Sequence, residues 1–269
     1  LTVRRSRPPT AAAELRALSF QYIRMHQCPN HSILKSLESS LDRLEEAAWF
    51  IRLMEKNYHK ADKFRWSLNS FLRSIKEVIQ ILTMEVQQNK AVSAWFKEEK
   101  ERISNETLIA FLFKQRDIVV HKAMLKPASK GSVGYTRGRG LKIGLGMPID
   151  PLEDSEIAIL KYIHHVAKTD FDFLGILYTE EDGGGEYTCV QREWRLQQFP
   201  DKELTQLAAE AWERVAQIVL GTAEKLGAEV IAPTFQLQNQ NRIQFEIYNP
   251  EWVKEKFQLA KDHVGKGDA

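Results

Sequence analysis

The sequence predicts a mainly α protein, with an N-terminal antiparallel helical bundle and a smaller α+β part that holds two β-hairpins and a long helix. Three observations carry this. Apolar residues step by three and four over long stretches of the first 127 residues. Glycine and proline then crowd residues 128–151. Short alternating apolar runs, the mark of strands, appear only beyond them. The boundaries that follow are 13–127 for the bundle, 128–151 for a Gly-rich connector and 152–269 for the α+β region.

Residues 1–12 read as a basic leader, with Pro8-Pro9 stopping regular structure. Leu37, Leu41, Leu44, Ala48, Ile51, Met54 and Tyr58 then lie on one helix face. Phe64, Leu68, Phe71, Ile75, Val78, Leu82 and Val86 repeat the stepping, with Asp62 expected as the start cap. A shorter helix follows around residues 92–102. Ser104-Asn105 is expected to cap a fourth, striped by Leu108, Phe111, Leu112, Ile118 and Val119 and ended by Pro127. Short connections between such helices favour antiparallel neighbours.

Residues 128–151 read as a loop or irregular hairpin. Asp154-Ser155 begins a helix through Ile157, Leu160, Ile163 and Ala167. The runs 171–178 and 187–196, separated by Glu-Asp-Gly-Gly-Gly-Glu, are expected to pair as a hairpin. Residues 202–226 form a strong amphipathic helix that Gly227 is placed to stop. Phe235 and Leu237, then Ile243, Phe245 and Ile247, suggest a second hairpin, and a short helix from Glu251 closes the chain.

The 269 residues are 43% hydrophobic and 28% charged, which excludes wholesale disorder. No apolar run reaches the roughly 18–20 residues of a membrane span, so no membrane partner is expected. Cys28 and Cys189 cannot make a disulfide framework, and a reducing cytoplasm is the expected compartment. The net charge of +2 hides an asymmetry. Residues 1–142 hold 26 Lys/Arg against 14 Asp/Glu, whereas residues 143–269 hold 12 against 22. The densest basic stretch contains Lys114, Arg116, Lys122, Lys126, Lys130, Arg137, Arg139 and Lys142 against Asp117 alone. Such a segment suits a phosphate backbone, whose condensed counterions are released on neutralisation. It equally suits docking of the basic half on the acidic half.

The most informative string runs Phe111-Leu-Phe-Lys-Gln-Arg116-Asp117-Ile-Val-Val-His121-Lys. Asp117 and His121 are four apart on a helix, where the carboxylate can orient the imidazole and raise its pKa. Arg116 points about 140° from His121 around the helix, so a second subunit would help to complete a site. An arginine, a polar residue and a histidine in this register on the last bundle helix resemble the signature of the HEPN superfamily (higher eukaryotes and prokaryotes nucleotide-binding). The resemblance covers roughly residues 35–127.

It implies a metal-independent endoribonuclease, with no cofactor and no metal, acting on RNA as a homodimer whose bundles pair across the site. His121 would serve as general base or acid, Arg116 as phosphate stabiliser and Asp117 as orienter. Lys114, Lys122, Lys126, Lys130, Arg137 and Arg139 would hold the RNA backbone. A toxin or phage-defence role, with a cognate inhibitor protein, belongs to the same resemblance. The alternatives are a non-catalytic module that binds nucleic acid or protein through the same bundle, and a purely structural dimer.

Other signals are thin. His26, Cys28 and His31 offer three zinc ligands without a fourth, and His164-His165 with Asp170 and Asp172 diverge around a helix. Gly138-Arg-Gly140-Leu-Lys-Ile-Gly144-Leu-Gly146 lacks the Gly-Lys-Ser/Thr ending of a phosphate loop. No Gly-x-Ser-x-Gly elbow and no His-Glu-x-x-His helix occurs.

Overall fold

A computed structural model describes residues 31–121, 127–137, 140–169, 186–231 and 233–267. The leader, Cys28, the run 171–178 and the connector residues Gly138 and Arg139 lie outside them. Mainly α architecture with a small antiparallel sheet is what the described residues form. In chain order the elements are α1 (His31–Lys35), α2 (Glu38–Lys56), α3 (Ala61–Val86), α4 (Lys90–Ser104) and α5 (Thr107–His121). Then come β1 (Ala128–Arg137), β2 (Gly140–Pro148), α6 (Ser155–Thr169), β3 (Glu186–Arg195) and α7 (Leu204–Lys225). Last are α8 (Gln240–Ile243), β4 (Phe245–Ile247) and α9 (Pro250–Gly267).

The apolar stripes bury as their spacing demands. Leu44, Ile51, Phe64, Leu68, Phe71, Ile75, Leu82, Phe96 and Leu112 share one core with Leu207, Ala211, Val215 and Ile218 of α7. The bundle thus takes in a helix from the C-terminal half of the chain. Gly227 ends that helix at φ +97°, a conformation costly for residues with a Cβ. Its N–H reaches Glu224 O at 2.9 Å and that of Ala228 reaches Ala223 O at 2.9 Å, which satisfies the last carbonyls.

A second core lies where α6 and α9 cover the sheet, around Val133, Ile149, Ile159, Ile163, Val190, Val253 and Phe257. The sheet order is β2-β1-β3-β4, and every neighbouring pair is antiparallel. Of the two forms expected for the Gly-rich stretch, it takes the irregular hairpin, whose register shifts between Tyr135 and Thr136, and it belongs to the sheet. Its glycines let backbones approach: a Cβ on Gly131 would collide with Gln191 O and Ile149.

The expected second hairpin does not form. Among the described residues, 233–239 form no strand, and β4 pairs with β3 at Cys189, Val190 and Gln191. Two N–H groups of this segment find carboxylates instead. Phe235 N–H donates to Glu213 at 2.7 Å and Gln238 N–H to the buried Glu55 at 2.6 Å, with Arg52 over the Phe235 ring at 4.4 Å. With those donors satisfied, a ladder is not required.

Helix caps also differ from expectation. Asp62 does not cap α3; it lies in the first turn and pairs with Arg65. The cap comes from Asp154, just before α6, whose carboxylate accepts the Ala61 N–H at 2.8 Å. Ser104 ends α4, and Asn105 is its C-terminal cap rather than the start of α5. Glu85, at the far end of α3, accepts the N–H groups of Ser39 and Ser40 at 3.0 and 3.3 Å and so caps α2. Asp154→Ala is expected to cost about 1 kcal/mol, the ordinary value of an N-cap, read as a lower urea midpoint at unchanged slope. A midpoint equal to wild type would show that α3 needs no cap from α6.

Candidate functional site

The motif helix α5 lies against α3, and their contact builds the candidate site. Lys76 on α3 places its Nζ 2.7 and 2.8 Å from the two Asp117 oxygens, and Arg116 Nη1 sits 3.2 Å from Asp117 Oδ1. Lys76 also lies 5.9 Å from the centre of the Phe113 ring. The hydrogen bond from Lys76, joined by that from Arg116, holds the Asp117 carboxyl below its ordinary range. Asp117 is half exposed, whereas the Arg116 side chain is 18% exposed. Arg116 Nε is buried without a hydrogen-bond partner among the described residues, so its donor capacity is not exhausted.

Two cations thus converge on one carboxylate, at the contact between two helices, one turn before His121. The His121 side chain lies outside the described residues, as do Lys122, Lys126, Arg139 and the Arg137 side chain. Lys114 is exposed on α5 and Lys130 is exposed on β1, so these two basic residues belong to different elements. Lys76 escaped the sequence reading. It stands 41 residues from its partner, and nothing in its local pattern separates it from any solvated helix lysine.

A different polar cluster occupies the joint between the two cores. On β3, Val190, Arg192 and Trp194 share one strand face, which passes from the second core into the first. Arg192 is fully buried, and among the described residues it has no ion-paired carboxylate. Its guanidinium donates to Ser129 Oγ at 2.9 Å, Glu153 O at 2.7 Å and Asp150 O at 3.1 Å, and lies 3.8 Å from the Trp194 ring centre. Burial brings its pKa down to about 10. Carbonyl dipoles and the indole face replace the water that the cation gave up. Trp194 stacks on Phe64 and donates its indole N–H to Tyr58 O at 2.8 Å.

Beside it, His59 Nε2 lies 2.9 Å from Ile243 O and Nδ1 lies 2.8 Å from Ser155 Oγ. A carbonyl only accepts, so Nε2 carries the proton and Nδ1 accepts the serine hydroxyl. A histidine and a serine in this contact could suggest a nucleophile and its base. Ser155 is fully buried, however, so the pair joins α6 to the bundle rather than facing a substrate. Lys60 reaches Asp154 at 3.4 Å and Glu156 at 3.5 Å at the same joint, where the basic and acidic halves of the chain meet.

Cys189 is buried, and burial pushes its thiol up to about 12, which leaves it unreactive. Among the described residues no cluster of three His, Cys, Asp or Glu could hold a metal ion, and no helix is long and apolar enough to cross a membrane. No known family profile, curated protein or solved structure matches the chain.

Proposed function

We propose that the α3–α5 face handles phosphodiesters, and that the protein is a metal-independent endoribonuclease of HEPN type. The observation that carries this reading is the convergence of Lys76 and Arg116 beside Asp117, on the helix that leads into His121. In the proposed reaction His121 takes the proton of a ribose 2′-hydroxyl. The freed O2′ attacks the adjacent phosphorus, and the P–O5′ bond breaks. The products are a 2′,3′-cyclic phosphate and a 5′-hydroxyl, the latter protonated by a general acid. Arg116 and Lys76 would stabilise the charge that gathers on the phosphate oxygens, the phosphate displacing the Asp117 carboxylate from them. Lys114 and Lys130, with Lys122, Lys126, Arg137 and Arg139, would position the backbone.

The resemblance adds a homodimer, a cytoplasmic toxin or phage-defence setting and a cognate inhibitor protein. A second reading, a non-catalytic binding module, is favoured by the ion pairs that already neutralise Asp117.

The test incubates the protein with labelled structured and single-stranded RNAs in excess EDTA, comparing wild type with His121→Ala. Cleavage that leaves cyclic phosphate ends, and is lost in the variant, supports the nuclease. Folded wild type that binds RNA in a salt-dependent manner and cuts none of them selects the binding module.

A further inference from the structure

Helix α3 treats its aromatic residues in two ways. Phe64 and Phe71 are fully buried in the first core, whereas Trp66 stands 60% exposed on the opposite side of the helix. An indole is the largest apolar side chain, and leaving it in water forgoes the burial that its neighbours obtain. At about 100° and 1.5 Å per residue, the exposed Arg73 lies about 20° around the helix from Trp66 and about 10 Å along it. Lys76 lies about 60° further round in the same sense, where it meets Asp117 of α5. Arg73 therefore stands between the indole and the place where Lys76 and Arg116 converge.

The charge of this face is one-sided. The carboxylates of α3 are engaged elsewhere: Asp62 with Arg65, Glu77 with Arg43, and Glu85 with the start of α2. Arg73 makes no ion pair among the described residues. A bare indole beside an unpaired guanidinium complements an unpaired nucleic-acid strand, which offers a flat base and an anionic phosphate in turn. In a duplex the bases stack on one another and present no free face to a side chain.

We infer that the Trp66–Arg73 face of α3 is a stacking site for an unpaired RNA base, whose strand continues over Arg73 to Lys76 and Arg116. This inference rests on the phosphodiester reading above and adds single-strand recognition to it.

The test uses 2′-O-methyl oligonucleotides, which lack the attacking hydroxyl and stay uncut. Binding of an oligoadenylate and of an abasic strand of equal length is measured to the full chain at low salt. Wild type is expected to bind the adenylate about tenfold more tightly, the scale of one stacked base. Trp66→Leu should bring that ratio toward one and leave abasic binding unchanged, while Trp66→Tyr, which keeps a ring, should retain most of it. An unchanged urea midpoint checks that both variants stay folded. Arg73→Ala should weaken both strands alike and make binding less dependent on salt. Equal binding of the two strands by wild type, or a preference that survives in Trp66→Leu, overturns the stacking site while the phosphodiester reading stands. So does a wild-type dimer in sedimentation that Trp66→Leu dissociates without changing the ratio, since that result assigns the face to a second copy of the chain. Binding of neither strand overturns the phosphodiester reading, and the stacking site with it.

Discussion

Glu203→Ala is expected to lower the stability of the protein by about 3–5 kcal/mol, the cost of stripping a buried charge network of its acceptor. Glu203 is buried and stands at the start of α7. One carboxylate oxygen accepts the Tyr58 hydroxyl at 2.6 Å and the Trp194 N–H at 3.0 Å. The other accepts the Thr205 N–H and hydroxyl, both at 2.7 Å. Burial, then the charge of Glu203, pushes the Tyr58 phenol above its ordinary range, so it remains a donor. Alanine would leave four donors facing each other in the core, and α7 would lose its capping box with Gln206. Tyr58→Phe removes one donor together with its bond and should cost only about 1–2 kcal/mol. The measurement is the urea midpoint at constant slope. Equal losses for the two variants would mean that the carboxylate does not organise this network.

The second large effect is a loss of stability on acidification that runs through His59. Burial, with the charges of Arg192 and Lys60, lowers this imidazole to about 4, against the partial support of its bond to Ile243 O. The groups facing it are Lys60 beside it in the chain, Ser155 from α6, Arg192 from β3 and Glu246 from β4, while Asp154, just before α6, and Glu156 on it pair with Lys60. Because the folded pKa lies below the unfolded value, the unfolded chain binds the extra proton as pH falls from about 6.5 to about 4. The contribution is complete above pH 6.5 and is lost across that window, amounting to about 3 kcal/mol.

Glu246 acts in the opposite sense. Burial raises its carboxyl, so its contribution is present in acid and fades as pH rises through its folded pKa. The comparison with His59→Gln, which keeps a donor toward Ile243 and cannot titrate, isolates the histidine. Wild type should lose stability between pH 7 and 4.5 more steeply than the variant. Parallel pH profiles would show that His59 is not the acid-sensitive group of the joint.

Both effects arise at contacts between residues far apart in the chain, and that separates what was legible from what was not. The helices of residues 38–56, 61–86 and 204–225 are written in the three-and-four spacing of Leu, Ile, Phe and Val. That spacing is a local property: a stripe on a helix must be buried whatever covers it. The stop at Gly227 and the hinge of composition after Pro127 are local too. So is the motif helix, since Arg116, Asp117 and His121 all fall on α5 as their spacing required.

What covers each stripe was settled only by closure of the chain. Helix α7 joined the bundle because its stripe fits the first core, although charge and position placed it with the C-terminal region. β4 found β3, and the segment before it satisfied two of its N–H groups on Glu55 and Glu213 instead of on a strand. Glu85 and Asp154 cap helices 45 and 93 residues away, and Lys76 meets Asp117 across 41. A carboxylate or ammonium carries no mark of its distant partner, because the same side chain is equally stable in water until the fold removes that water. Apolar rhythm is therefore fixed along the chain, and the pairing of buried polar groups is fixed by tertiary packing.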